Sequence, residues 1–206
     1  PRLIKSSIDW NKATPVFGDD NPLPFSYTTK EFSPPNKPCH TIESNPASHD
    51  TIRENLHRSP MFSGDIGGTG PRYCPSIEDK IHRFSDRNSH LLFLEPEWLN
   101  SDQVYLNGFS TSLPEEVQID SLRKIEGLKN VEFFRPGYAI EYDFFPPSQL
   151  KNTLESKSVC GLYFAGQMNG TSGYEEAAAQ GLVCGINASL KILDREPLIL
   201  TRDSSY

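Results

Sequence analysis

The sequence predicts an α+β layout joined to part of an α/β layer. Three observations carry that expectation. Residues 90–145 hold short apolar or alternating runs separated by turn signals, the pattern of antiparallel strands. Helix-start signals recur between residues 48 and 125. Residues 159–190 read as a buried strand, a glycine-rich turn and a helix.

The 206 residues suffice for a real core. Opening at Pro1 rather than Met, the chain is expected to be a fragment or a processed form. Five stretches are expected: an extended Pro-rich connection over 1–38, an inserted segment over 39–92, antiparallel strands with one helix over 93–155, a final strand–turn–helix over 156–195, and a tail over 196–206. Net charge is −7, which argues against a polybasic nucleic-acid binder. Cys39, Cys74, Cys160 and Cys184 are widely spaced, with no Cys-x-x-Cys pair, so neither zinc nor a disulfide framework is expected. No apolar run approaches the roughly 20 residues of a membrane helix, and no signal peptide opens the chain. A reducing, cytoplasmic setting and no metal are the expectation.

In chain order, residues 1–38 carry seven of the seventeen prolines and read as irregular chain draped over a domain. Residues 38–42 read as a strand. Residues 48–57 read as a helix, started by Ser48 or Asp50, with Ile52 and Leu56 on its apolar face. Pro75 suits a first helical position, which places Cys74 at the N-cap, and Ile77, Ile81 and Phe84 share one buried face. Residues 90–96 form a strand. Asn107-Gly108 between residues 103–106 and 109–112 signals a type I′ hairpin. Ser112 and Glu115 form a capping box for a helix ending near Ile125, with Gly127 as its stop. Residues 131–134 form a strand, and residues 138–145 alternate as another.

The final segment organises the rest. Residues 162–165 are an apolar run of strand length. Gly166, Gly170 and Gly173 permit backbone angles closed to other residues. Thr171 or Ser172 caps the helix that follows, with Glu175 and Glu176 in its first turn. Ala177, Gly181, Gly185 and Ala188 share one small face, able to lie close on a sheet. Such a turn brings backbone N–H groups to an anionic or polar ligand, or is simply a tight connection. Two formal glycosylation sequons, at Asn169 and Asn187, fall in this turn and helix and are read as coincidence.

Cys74 is the sharpest chemical candidate. A thiol at a helix N-terminus near Arg72 favours thiolate; a buried, inert cysteine is the other reading. Residues 51–92 sum to +1 and residues 93–150 to −6, so a phosphate-bearing partner would dock on the first segment, unless its surface is ordinary mixed charge. Glu141 with Asp143, and Glu95 with Glu97, are carboxylate pairs able to do acid–base work or simply to face solvent.

Long motifs carry a resemblance. Gly70-Pro-Arg-Tyr-Cys-Pro-Ser-Ile-Glu-Asp-Lys80, Asn107-Gly-Phe-Ser-Thr-Ser-Leu-Pro114, Arg135-Pro-Gly-Tyr-Ala-Ile-Glu-Tyr-Asp-Phe144 and the run from Phe164 through Gly-Gln-Met-Asn-Gly-Thr-Ser-Gly-Tyr to Gly181 resemble the MnmG (GidA) family over nearly the whole chain. The resemblance implies part of a FAD/NAD(P)-binding, glutathione-reductase-type, Rossmann-like fold with an inserted mixed α/β region. It implies an internal piece of a flavin-dependent enzyme that modifies the tRNA wobble uridine with the GTPase MnmE, as a homodimer and away from membranes. Methylenetetrahydrofolate would supply carbon and NADH would reduce the flavin. Gly166, Gln167, Asn169, Gly170, Thr171 and Gly173 would contact FAD. Gly70, Pro71, Arg72, Tyr73 and Lys80 would match an NAD region, and Cys74 the catalytic cysteine. No Gly-x-Gly-x-x-Gly occurs here, so the pyrophosphate site would lie outside this chain and the piece alone would be inactive. Alternatives are a folate-dependent flavoprotein tRNA uracil methyltransferase and a non-catalytic docking module.

Overall fold

A computed structural model of the chain describes residues 1–63, 76–140 and 143–203. Its contacts divide them into two units, residues 1–63 with 76–139, and residues 140 with 143–203.

The first unit is a sheet backed by helices. Its strands are β1 (Arg2–Ile4), β2 (Thr14–Val16), β3 (Cys39–Glu43), β4 (Leu91–Pro96), β5 (Gln103–Asn107) and β6 (Phe133–Arg135). Its helices are α1 (Pro46–Glu54), the single-turn α2 (Pro60–Ser63), α3 (Ile77–Arg83) and α4 (Glu115–Arg123). Sheet order is β2-β3-β4-β5-β1-β6, every pair antiparallel. Period-two alternation sends Leu92 and Leu94 of β4, and Val104 and Leu106 of β5, to one face. Register seats Leu94 opposite Leu106 and Leu3 opposite Val104. Ile52 of α1, Ile77 and Ile81 of α3, and Val117 and Leu122 of α4 join them in one core. Burying each such side chain contributes about 1.5–3 kcal/mol.

Several expectations are corrected here. Residues 1–16 are not loose covering, because β1 is an inner strand and β2 an edge strand. Asn45, not Ser48 or Asp50, caps α1, its side chain accepting from the Ser48 N–H at 2.9 Å, with Pro46 as the first helical residue. Cys74 is not the N-cap of α3: Ser76 is, accepting from the Asp79 N–H at 3.2 Å. The 103–112 hairpin does not form. Both edges of β5 are taken, by β4 and β1, so no edge remains for residues 109–112. Instead Phe109 is fully buried and the Ser110 carbonyl accepts from the Ile77 N–H. The capping box is also absent. Glu78, itself fully buried, draws the Ser112 N–H at 2.9 Å, and α4 starts after Pro114. Gly127 is left-handed, at φ +92°, but α4 has already ended at Arg123 with Lys124 as its C-cap, so Gly127 turns the chain beyond the helix rather than stopping it. Residues 136–140 and 143–146 are not strand. There the buried Gln118 amide brackets Gly137, accepting its N–H at 2.8 Å and donating to its carbonyl at 3.0 Å.

The second unit carries α5 (Tyr174–Ile192) and two isolated bridges, Leu150 with Ser156 and Glu155 with Tyr163. Residues 162–165 are not a strand, since of these four only Tyr163 is bridged. Glu155 ties the unit together. It accepts from Lys191, from the Gly161 N–H at 2.8 Å and from Lys151 at 2.9 Å. Lys191 first, then the Gly161 amide, then Lys151 hold its carboxyl down to about 2.

Candidate functional site

The glycine-rich turn is the best-built site among the described residues. Gly166, at φ +80° and ψ −148°, lies where only glycine is at ease, and opens a 3₁₀ turn over Gln167–Asn169. Gly170, left-handed at φ +90°, closes it; a Cβ there would sit 3.2 Å from the Phe144 ring. The Phe145 N–H donates to the Met168 carbonyl at 2.8 Å, and the Phe145 and Phe164 rings lie 5.0 Å apart.

Neither Thr171 nor Ser172 caps α5. Gly173 does, with Glu175 and Glu176 in the first turn as the sequence implied. Glu176 folds back so that one oxygen accepts the Ser172 N–H at 3.0 Å and the Gly173 N–H at 2.5 Å. A Cβ on Gly173 would meet this carboxylate at 2.6 Å, so a larger residue there would have to push the Glu176 side chain aside. Its own backbone N–H, then that of Gly173, lower the Glu176 pKa. The N–H groups expected to meet an anionic ligand therefore already hold an internal carboxylate. What the turn still offers is neutral hydrogen bonding. The Gln167 amide nitrogen and the Asn169 amide oxygen are buried with no partner. Two such atoms in one short turn need an explanation, because a buried polar group without a partner costs about 1–3 kcal/mol.

Gln180 is the residue that the sequence reading missed. From the second turn of α5 its Oε1 accepts the Gly166 N–H at 3.0 Å and the Asn169 side-chain amide at 3.2 Å. The available signal was a lone amide following Ala177-Ala-Ala on the helix. Asn169 and Asn187 are both buried, and both side-chain nitrogens donate within the protein, in line with the coincidental reading of their sequons.

Gly70, Pro71, Arg72, Tyr73 and Cys74 lie outside the described residues, as does Glu141. Lys80 is in α3, half-buried, its ammonium donating to the Gly108 carbonyl at 3.2 Å. Asp143 is exposed, Glu95 accepts from the Asn107 side chain at 3.0 Å, and Glu97 pairs with Arg2 at 2.5 Å. Beside α3, His49 and His90 stack with ring centroids 5.2 Å apart, each with one buried ring nitrogen unpartnered. Desolvation above all lowers both their pKa values. For His49 the neighbouring His90 and Arg53 add to it, against Asp50 and the Arg87 backbone; for His90, Lys80 and Arg87 add to it. No described helix is long and apolar enough to cross a membrane.

Comparison with known proteins places this geometry. A family profile described as "Glucose inhibited division protein A" matches residues 1–196. A Flavobacterium psychrophilum protein named tRNA uridine 5-carboxymethylaminomethyl modification enzyme MnmG is 57% identical over 208 residues, covering 100% of this chain and 33% of its own length. A Campylobacter fetus protein of the same name is 54% identical over 206 residues, with the same coverage. The crystal structure of Aquifex aeolicus GidA in form I superposes with a TM-score of 0.84 at 50% identity, over 98% of this chain and 35% of that one. The chain thus spans about a third of these relatives, and its mixed α/β architecture is part of the GidA fold. With a profile match over residues 1–196 and a shared fold, the chain belongs to the glucose inhibited division protein A (GidA) family.

Proposed function

We propose that this chain is the flavin-facing part of an enzyme that installs a carboxymethylaminomethyl group on a tRNA wobble uridine. The supporting observation is the turn at residues 166–173, with two buried amide atoms left unmet beside a glycine in a conformation closed to other residues. The isoalloxazine ring of FAD fits that pattern, since its pyrimidine edge alternates carbonyl acceptors with an N–H donor. Gly166, Gln167, Asn169, Gly170, Thr171 and Gly173 would hold it. Bound FAD supplies two-electron redox chemistry. The chain's own residues contribute orientation: Gln180 and Glu176 pin the turn from α5, and Phe144 and Phe145 pack against it.

On the same reading, Cys74 adds to the uracil ring and makes the adjacent carbon nucleophilic. Gly70, Pro71, Arg72, Tyr73 and Lys80 contribute to an NADH site, and methylenetetrahydrofolate donates the carbon. The whole protein acts in the cytoplasm as a homodimer with an MnmE-type GTPase. The test is flavin retention by the full-length protein: wild type purifies yellow, and Gln167→Ala loses flavin at least tenfold more readily. A colourless wild type that takes up no added FAD would refute this function.

A further inference from the structure

The hydrogen-bond network around Gln180 determines which way each amide of the turn points. The Gly166 N–H can only donate, so the Gln180 atom 3.0 Å away must be oxygen. That oxygen lies 3.2 Å from the Asn169 side chain, so Asn169 must present its NH₂ there. Its Oδ1 is then left as an acceptor, in a residue only 6% exposed, with no partner. A backbone donor thus sets the polarity of a side-chain acceptor through one intervening amide. In the same 3₁₀ turn the Gln167 nitrogen is a buried donor without a partner.

We propose that Asn169 Oδ1 is the acceptor for the N–H of a cyclic imide, with Gln180 as the positioning residue that gives Asn169 this polarity. An unmet acceptor and an unmet donor in one turn complement a ring edge carrying N–H beside C=O. An anionic ligand would gain nothing from Asn169 Oδ1 and would be repelled by the Glu176 carboxylate on the next N–H groups. The proposal builds on the flavin reading of this turn, and two sources share the chemistry, the pyrimidine ring of a flavin and a uracil base.

The experiment compares ligands on the unmutated full-length protein, so it does not depend on any variant folding. Dissociation constants are measured for FAD and N3-methyl-FAD by flavin fluorescence, and for uridine and 3-methyluridine monophosphates by calorimetry. Methylation replaces the imide N–H by N–CH₃ and leaves both flanking carbonyls in place, and the Asn169 and Gln180 variants separate loss of the donor from the bulk of the methyl group. FAD should bind at least tenfold more tightly than N3-methyl-FAD. Asn169→Ala and Gln180→Ala should abolish the difference, while Gln180→Glu, still an acceptor at both contacts, should keep it. Discrimination confined to the uridine pair, with the same dependence on Asn169 and Gln180, would keep the imide assignment and overturn the flavin reading. FAD bound equally well with and without its N3–H, and uridine likewise, would overturn the imide assignment and leave the flavin reading standing. No binding of any of the four would overturn both.

Discussion

Gln118→Leu removes a buried amide that serves three backbone groups at once. Its oxygen accepts the Gly137 N–H at 2.8 Å; its nitrogen donates to the Leu113 carbonyl at 2.6 Å and the Gly137 carbonyl at 3.0 Å. The side chain is 1% exposed, so water has little room to replace it. Gly137 is equally confined, since a Cβ there would lie 2.8 Å from the Thr111 carbonyl. Leucine conserves much of the volume but leaves an orphan donor and two weakened acceptors. The orphan N–H costs about 1–3 kcal/mol and each carbonyl about 0.5–1, for a total of roughly 2–5 kcal/mol. At about 2–4 °C per kcal/mol for a chain of this length, the thermal midpoint falls by about 4–20 °C. The assay is thermal and urea unfolding of the 206-residue chain, with the exposed Asp120→Asn on the same helix as a control held to within about 0.5 kcal/mol. A Gln118→Leu midpoint matching that control would refute the reasoning, because the three groups would then have found other partners.

Other outcomes follow from the same geometry. Gly170→Ala forces a side chain into a left-handed backbone and to 3.2 Å from the Phe144 ring, costing about 1–3 kcal/mol and weakening flavin binding in the full-length protein; an unchanged midpoint and flavin affinity would contradict it. Gly181→Ala meets nothing within 4 Å and lies inside α5, so it should stabilise this chain by about 0.5–1 kcal/mol in thermal unfolding; a loss of stability would show that face to be filled. The lowered folded pKa values of His49 and His90 mean that the unfolded chain takes up protons first as pH falls below 6.5. Their contribution is therefore complete above pH 6.5 and declines on acidification. Replacing both by Gln should flatten the pH 7 to 5 unfolding profile, and an unaltered slope would exclude them as its source. Glu155, held down to about 2, contributes stability present above its ordinary 4.5 and lost as pH falls toward 2. The protection factor of the Gly161 amide, its exchange rate relative to the free amide at the same pH, should fall across that window in wild type and be low throughout in Glu155→Ala.

Much of the fold could be read locally. The alternation at residues 91–96 and 103–106, the apolar face of Ile77 and Ile81, the left-handed turn at Gly127 and the long helix behind the glycine-rich turn all depend on neighbours within a few residues. The readings that failed are those a distant group decided. Asn107-Gly108 promised a hairpin, yet β1, about a hundred residues earlier, already occupies the edge that hairpin needed. Ser112 carried a capping signature, but Glu78 from α3 claimed its N–H. Residues 138–145 alternate as a strand should, but alternation supplies no pairing partner, and none of their described residues lies in a strand.

The same division holds at the site. Sequence alone determined the family, through motifs too long to recur by chance, and located the turn, through three glycines whose angles other residues resist. Only the tertiary structure decided what the turn offers. Glu176 closing over the helix N-terminus, and Gln180 orienting Asn169 from one turn along, are contacts between side chains and backbone brought together by the fold of residues 166–180. Propensity and spacing say where a backbone bends. Which polar atoms remain unpaired once it has bent depends on every neighbour in space, and that sum is available only after folding.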